Sequence, residues 1–130
     1  MVKKFGRAFL LFALCIQLSG CAPAVFVVGG AAGAGAVVWV KGKLEEEVKL
    51  PLGKVHQASL AALKDLELPV QEDKKDMLAA EIRSEFADGK GVWISIRSLT
   101  ESSSKITIRV GMFGDRARSE RILDTVHRHL

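Results

Sequence analysis

Three histidines, a run of three glutamates, a run of three serines and a tryptophan among arginines are the side chains here with chemistry to offer. His56 falls in a helix-periodic stretch, where a half-buried structural imidazole is the ordinary role and a ligand the rarer one. His127 and His129 are two apart, so they do not share a helix face. Beside Arg128, they suit the negative end of a helix dipole. Glu45, Glu46 and Glu47 alternate sides if they lie on a strand, which favours a solvated edge over a cation site. Ser102, Ser103 and Ser104 form a polar loop with no His–acid pair in view, so no nucleophile–base couple of a hydrolase is expected. No metal or other cofactor is implied. The best surface candidate is Trp93 with Arg83, Arg97 and Arg109. An exposed indole among guanidinium groups could stack on a sugar ring or anchor a partner. The simpler role for the same set is a cation–π pair filling an open sheet face, or a surface covered by a sister subunit.

The two cysteines, Cys15 and Cys21, point elsewhere. Lys3, Lys4 and Arg7 make a basic start, and Ala8 to Leu18 is apolar except for Gln17. Small residues then lead to Cys21, which is the layout of a secretory signal peptide. The residues Leu18-Ser19-Gly20-Cys21 resemble the lipobox of bacterial lipoproteins. That resemblance implies a diacylglyceryl group on the Cys21 sulfur, cleavage just before it so that residues 1–20 are removed, and acylation of the new amino terminus. Leu18, Ser19 and Gly20 would be the residues the signal peptidase reads. Cleavage after Ala22-Pro23-Ala24 is an alternative, but Cys21 would then be lost for no purpose. An uncleaved anchor is another, and the apolar run is short for a bilayer about 30 Å thick. Several acyl chains on one residue give durable attachment, at about 0.8 kcal/mol per buried CH2.

Removing the leader alters the charge. The chain carries 19 Lys plus Arg and 15 Asp plus Glu, a net of +4. Three of those cations and no acid lie in the leader, so the mature net would be +1; the argument for a nucleic-acid partner from bulk charge then fails, and none is expected. Cys15 leaves with the leader and Cys21 would be lipidated, so no disulfide or cysteine metal site is expected. What remains suits one small domain and a tether.

The tether, within residues 21–40, is unusual. Ala22 to Val40 has no charge and consists of six Ala, six Val, four Gly, Phe26, Trp39 and Pro23. Its length passes for a membrane span. Gly29 with Gly33, and Ala31 with Gly35, give the small-xxx-small spacing of helices that pack closely in lipid. The simpler reading is a small-residue spacer with Val37 to Val40 beginning a strand. The run lacks the glycine pattern of a phosphate-binding loop, so no nucleotide is expected.

Residues 41–130 read as a folded domain. Lys43 to Leu50 alternates as a strand polar enough for a sheet edge, and Pro51 ends it. A helix fits Leu52 to Leu66, with Val55, Ser59, Ala62, Leu63 and Leu66 on one face. Leu68 to Glu72 is a short strand, and Asp73 to Asp76 a polar turn. Leu78, Ala80, Ile82, Ser84 and Phe86 alternate with Ala79, Glu81, Arg83 and Glu85, and Val92, Ile94 and Ile96 with Trp93, Ser95 and Arg97. A two-residue Asp88-Gly89 turn would mix the two faces, whereas a three-residue loop Ala87-Asp88-Gly89 keeps the parity. Ile82 is thus expected opposite Ile94, and Arg83 beside Trp93. Ile106, Ile108 and Val110 form the next strand, after a loop Thr100 to Ser104. Asp115 should cap a last helix whose Ile122, Leu123, Val126 and Leu130 face inward. The expected fold is α+β, an antiparallel sheet of four to five strands with two helices on one face. Glu81, Arg83, Glu85, Trp93, Ser95, Arg97, Lys105, Thr107 and Arg109 are left on the other face.

The lipobox, the Gly/Ala/Val tether, Leu50-Pro51-Leu52-Gly53-Lys54-Val55, Ala87-Asp88-Gly89-Lys90 and Gly111-Met112-Phe113-Gly114-Asp115 together resemble a family of short Gram-negative lipoproteins known only as a domain of unknown function. No functional residues come with that resemblance. It implies a cell-envelope protein held to a membrane through Cys21. The resemblance to bacterial lipoproteins, in which a residue other than Asp after the modified cysteine generally directs the protein outward, implies through Ala22 the outer membrane, facing the periplasm. The function expected is a non-catalytic structural or interaction module that binds an envelope protein or itself. A glycan- or lipid-binding module using the open sheet face is the alternative.

Overall fold

The computed structural model describes residues 34–130. The expected leader, the lipobox-like residues Leu18 to Cys21 and the expected spacer through Gly33 lie outside the described residues. Eight elements follow: β1 (Ala34–Val40), β2 (Lys43–Val48), α1 (Leu52–Asp65), β3 (Val70–Lys75), β4 (Ala79–Glu85), β5 (Gly91–Thr100), β6 (Ser103–Val110) and α2 (Arg116–Arg128). The strands make one sheet in the order β1-β2-β6-β5-β4-β3, every neighbouring pair antiparallel. The fold is α+β, with six strands rather than the expected four to five.

The additional strand explains a second correction. Val37 to Val40 is indeed strand, but β1 reaches back to Ala34 and pairs with β2, placing Val38 opposite Glu45 and Trp39 opposite Leu44. So β2, expected at the edge, lies between β1 and β6. Its polar alternation records one solvent-facing side, because Leu44, Glu46 and Val48 on the other side are all buried. A polar face and a free edge look alike in a strand's sequence.

The hairpin register is as expected: Ile82 pairs with Ile94 and Arg83 with Trp93. Phe86 N–H donates to the Lys90 carbonyl at 2.8 Å and Gly89 N–H to the Phe86 carbonyl at 2.9 Å, with Gly89 at φ 90°. That is the three-residue loop with glycine in the left-handed position.

The preceding turn is shifted. β3 runs Val70–Lys75 rather than Leu68 to Glu72, so Asp73, Lys74 and Lys75 belong to a charged edge strand. Of Asp73 to Asp76 only Asp76 falls in the turn, with Met77 and Leu78, and its Oδ1 accepts from Leu78 N–H at 2.7 Å and Ala79 N–H at 2.8 Å. Leu78 consequently stands outside the sheet, 70% exposed, instead of lining the core.

Both helices pack on the even-numbered face, α1 over β4, β5 and β6 and α2 over β6 and β2, and they touch each other. α1 begins at Pro51, whose carbonyl accepts from Lys54 and Val55 N–H. It ends at Asp65, one residue short of the expected Leu66. Glu67 takes a left-handed φ of 56°, while Leu68 N–H bonds the Leu63 carbonyl and Glu67 N–H the Lys64 carbonyl. This double bond pattern closes the helix. Asp115 caps α2 as expected, accepting from Arg118 N–H at 3.1 Å. Leu130 lies past the helix end and is exposed. Ile82, Ile94, Ile96, Ile106, Ile108 and Ile122 form the centre of the core. Each contributes about 1.5–3 kcal/mol by leaving water.

Candidate functional site

The open sheet face brings together three of the four residues expected there. Glu72, Arg83, Trp93 and Arg109 follow one another across β3, β4, β5 and β6. The Arg109 guanidinium stands over the Trp93 ring, 5.7 Å from its centroid. Arg109 also donates from Nε to the Gly111 carbonyl at 3.2 Å and from Nη2 to the Met112 carbonyl, so it is tied to the β6–α2 loop. The indole lies along the strand: a Cβ on Gly91 would stand 2.8 Å from its Cη2. Arg97 is four residues along β5 from Trp93, about 13 Å away, opposite Lys105 and Ala79. It is not part of the cluster. Around the cluster the face is a lattice of ion pairs, with Glu72 to Lys74 at 2.6 Å and to Arg83 at 3.3 Å, and Glu45 to Lys105 at 2.9 Å.

The motifs Ala87-Asp88-Gly89-Lys90 and Gly111-Met112-Phe113-Gly114-Asp115 meet at one end of the sheet. Asp88 accepts two hydrogen bonds from Arg118, at 3.0 and 2.7 Å, and Arg118 lies over the Phe86 ring, 4.5 Å from its centroid. Those bonds hold the Asp88 carboxyl down at about 2. Lys90 reaches Asp115 at 3.4 Å. The β1–β2 turn joins them through Gly42, packed against the backbone of Phe113 and Gly114. The arrangement is a clasp between three loops and the first turn of α2.

The histidines were the least legible residues. Each pairs with a carboxylate on another element: His56 Nε2 with Asp73 Oδ1 at 2.7 Å, His127 Nε2 with Glu46 Oε2 at 2.6 Å, and His129 with Asp65. They join α1 to β3, α2 to β2 and α2 to α1. His127 lies in the last turn of α2 and His129 at its C-cap, the positions that suit the dipole, and each has a specific carboxylate partner as well. Glu46 was expected on a solvated edge, but it is 1% exposed and lies in phase with Leu44 and Val48 on the core side. That phase was the available signal. The hydroxyls of Ser59, Ser84, Ser104, Ser119 and Thr125 donate to backbone carbonyls. No group of three or more His, Cys, Asp or Glu able to hold a metal occurs among the described residues, and no described helix is long and apolar enough to cross a membrane.

The Glu46 hydrogen bond raises the His127 pKa from its usual value, against the opposing effect of burial, with smaller pulls from the charges of Glu46 and Asp124. A raised folded pKa means that the stability from this pair is fully present below the unfolded value, about 6.5, and is lost as pH rises through the folded value. The urea midpoint is expected to fall between pH 6 and pH 9, with a smaller fall in His127→Gln. An equal fall in the two proteins would contradict the pairing.

No curated protein matches the sequence. The family described as "Protein of unknown function (DUF3568)" matches residues 7–129, so it spans the clasp and all the described helices and strands. With nearly its whole length matched, the chain belongs to the DUF3568 family.

Proposed function

We propose that this protein is a lipid-anchored module of the cell envelope, held on the outer membrane through Cys21, that acts by interaction rather than by turning over a substrate. The observation that carries the reading is the continuity between the apolar segment and the sheet. Ala34 opens β1 and stands thirteen positions after Cys21, which limits the separation between lipid and sheet to about 45 Å. The domain would work beside the bilayer. The same end of the sheet carries an apolar rim. Ala34, Val48, Ser104 and Ser98 lie in one cross-strand row, and Ser98 N–H donates to the Leu78 carbonyl. Met77, Leu78 and Leu99 are exposed there, beside a hollow of about 880 Å³.

The interaction role is supported by how the polar groups are used. The three imidazoles join layers, the buried hydroxyls satisfy carbonyls, and Trp93 is packed against Gly91 and Arg109. A sugar ring would have to displace Arg109 from the indole, which disfavours the glycan-binding alternative. Labelled palmitate is expected in the wild-type protein and absent from Cys21→Ser. The wild type should stay with the membrane fraction through a high-salt wash and leave it in detergent. An unlabelled, soluble wild type would overturn the proposal.

A further inference from the structure

The two edges of the sheet differ in kind. β3 presents Glu72, Asp73, Lys74 and Lys75, the charges that ordinarily keep a free edge from pairing. β1, at the opposite edge, reads Ala-Gly-Ala-Val-Val-Trp-Val and carries no charge at all. Among the described residues no strand pairs with its outer side, and Val38 and Val40 are 38% and 41% exposed on the open face. An uncharged, β-branched edge of this length is a template for another strand.

We propose that the occupant is β1 of a second copy, paired antiparallel across a two-fold axis at Val37, so that two six-stranded sheets become one. The strand is complementary to itself in that register. Val37 faces Val37 and Ala36 faces Val38, with Val37 to Val40 the part of the strand that follows the register shift between Ala34 and Val37. With the axis perpendicular to the sheet, directly opposed residues share a face, so both helix pairs cover the same side of the joined sheet. No charged side chain meets a like charge at the junction, because the nearest charges belong to β2 and to the β1–β2 turn. The contact itself needs no lipid. It deepens the reading of an anchored interaction module by naming surface and partner, and it rests on that reading only for its strength. Confinement of both copies to one membrane raises their effective concentration.

Disulfide trapping in native membranes tests the proposal. Opposed residues of an antiparallel pair have Cα atoms about 4.5–5.5 Å apart, within the range a disulfide spans. Full-length Val37→Cys is expected to form severalfold more covalent dimer on mild oxidation than Gln71→Cys on the β3 edge. The chain without an introduced cysteine controls for linkage through its own thiols. Palmitate labelling of the same bands reads the anchor separately, so an unlabelled Val37→Cys dimer would sink the anchor and spare the contact. Val38→Lys is expected to convert the detergent-solubilised wild-type dimer to a monomer on sedimentation, with its thermal transition retained. Equal trapping at the two edges, a monomeric wild type, or a Val38→Lys protein that remains dimeric would overturn the proposal.

Discussion

His127→Ala is expected to lower the stability of the domain by about 3–5 kcal/mol, the usual cost of removing one partner from a buried ion pair. Glu46 is 1% exposed on the core face of a strand flanked on both sides, and its Oε2 accepts from His127 at 2.6 Å. Among the described residues its Oε1 has no hydrogen-bond partner. Without the imidazole, a carboxylate would sit in the core with neither oxygen satisfied. The partner experiment separates the pair from the packing around it. Glu46→Leu combined with His127→Leu removes both charges at similar volume, and such replacements are often neutral or stabilising. Urea unfolding should therefore place the double variant well above His127→Ala. If the single and double variants lose equal stability, the pair is incidental and His127 acts only by filling space.

Gly114→Ala is expected to cost more than about 3 kcal/mol, whereas Gly89→Ala should cost about 1–2 kcal/mol. Both glycines have positive φ, 82° and 90°, so both variants bear the left-handed penalty of an L side chain. Only Gly114 adds a collision. Its Cβ would stand 2.6 Å from the Gly42 Cα and closer still to the Gly42 carbonyl oxygen, both parts of a neighbouring backbone that cannot swing aside. A Cβ on Gly89 meets nothing within 4 Å. Thermal unfolding of the two variants side by side isolates the close approach of the β1–β2 turn to the β6–α2 loop. Similar losses would mean that the clasp yields and that the loops are not locked together.

Much of this fold was written in period-two alternation. The parity of Ile82 and Ile94 required an odd loop, and that loop is present with Gly89 at its left-handed position. Asp115 announced α2 by chemistry alone, since a short acceptor side chain before a helical stretch satisfies a free N–H. Edges were harder. Whether β2 is flanked on one side or two depends on a strand formed from Ala34 to Val40, whose small residues signal strand weakly. The β3 turn slipped because Asp73-Lys74-Lys75 satisfies both a turn and a guarded edge, and only the Asp76 bonds decide between them. Of the candidate surface, Arg83 with Trp93 followed from register. Arg97 and Arg109 were placed by alternation, which gives the face but not the distance: Arg109 stands beside Trp93 and Arg97 two rows away. The His127–Glu46 pair joins residues 81 positions apart. Glu46 had an inward phase, but nothing local said which residue would answer its charge.

Mass spectrometry of the amino-terminal peptide, taken from protein purified out of native membranes, is the most direct test of a module tied beside a bilayer. The prediction is a chain that starts at Cys21 with a diacylglyceryl group on sulfur and an acyl group on nitrogen. A free Cys21 thiol, or an intact leader on soluble protein, would contradict it.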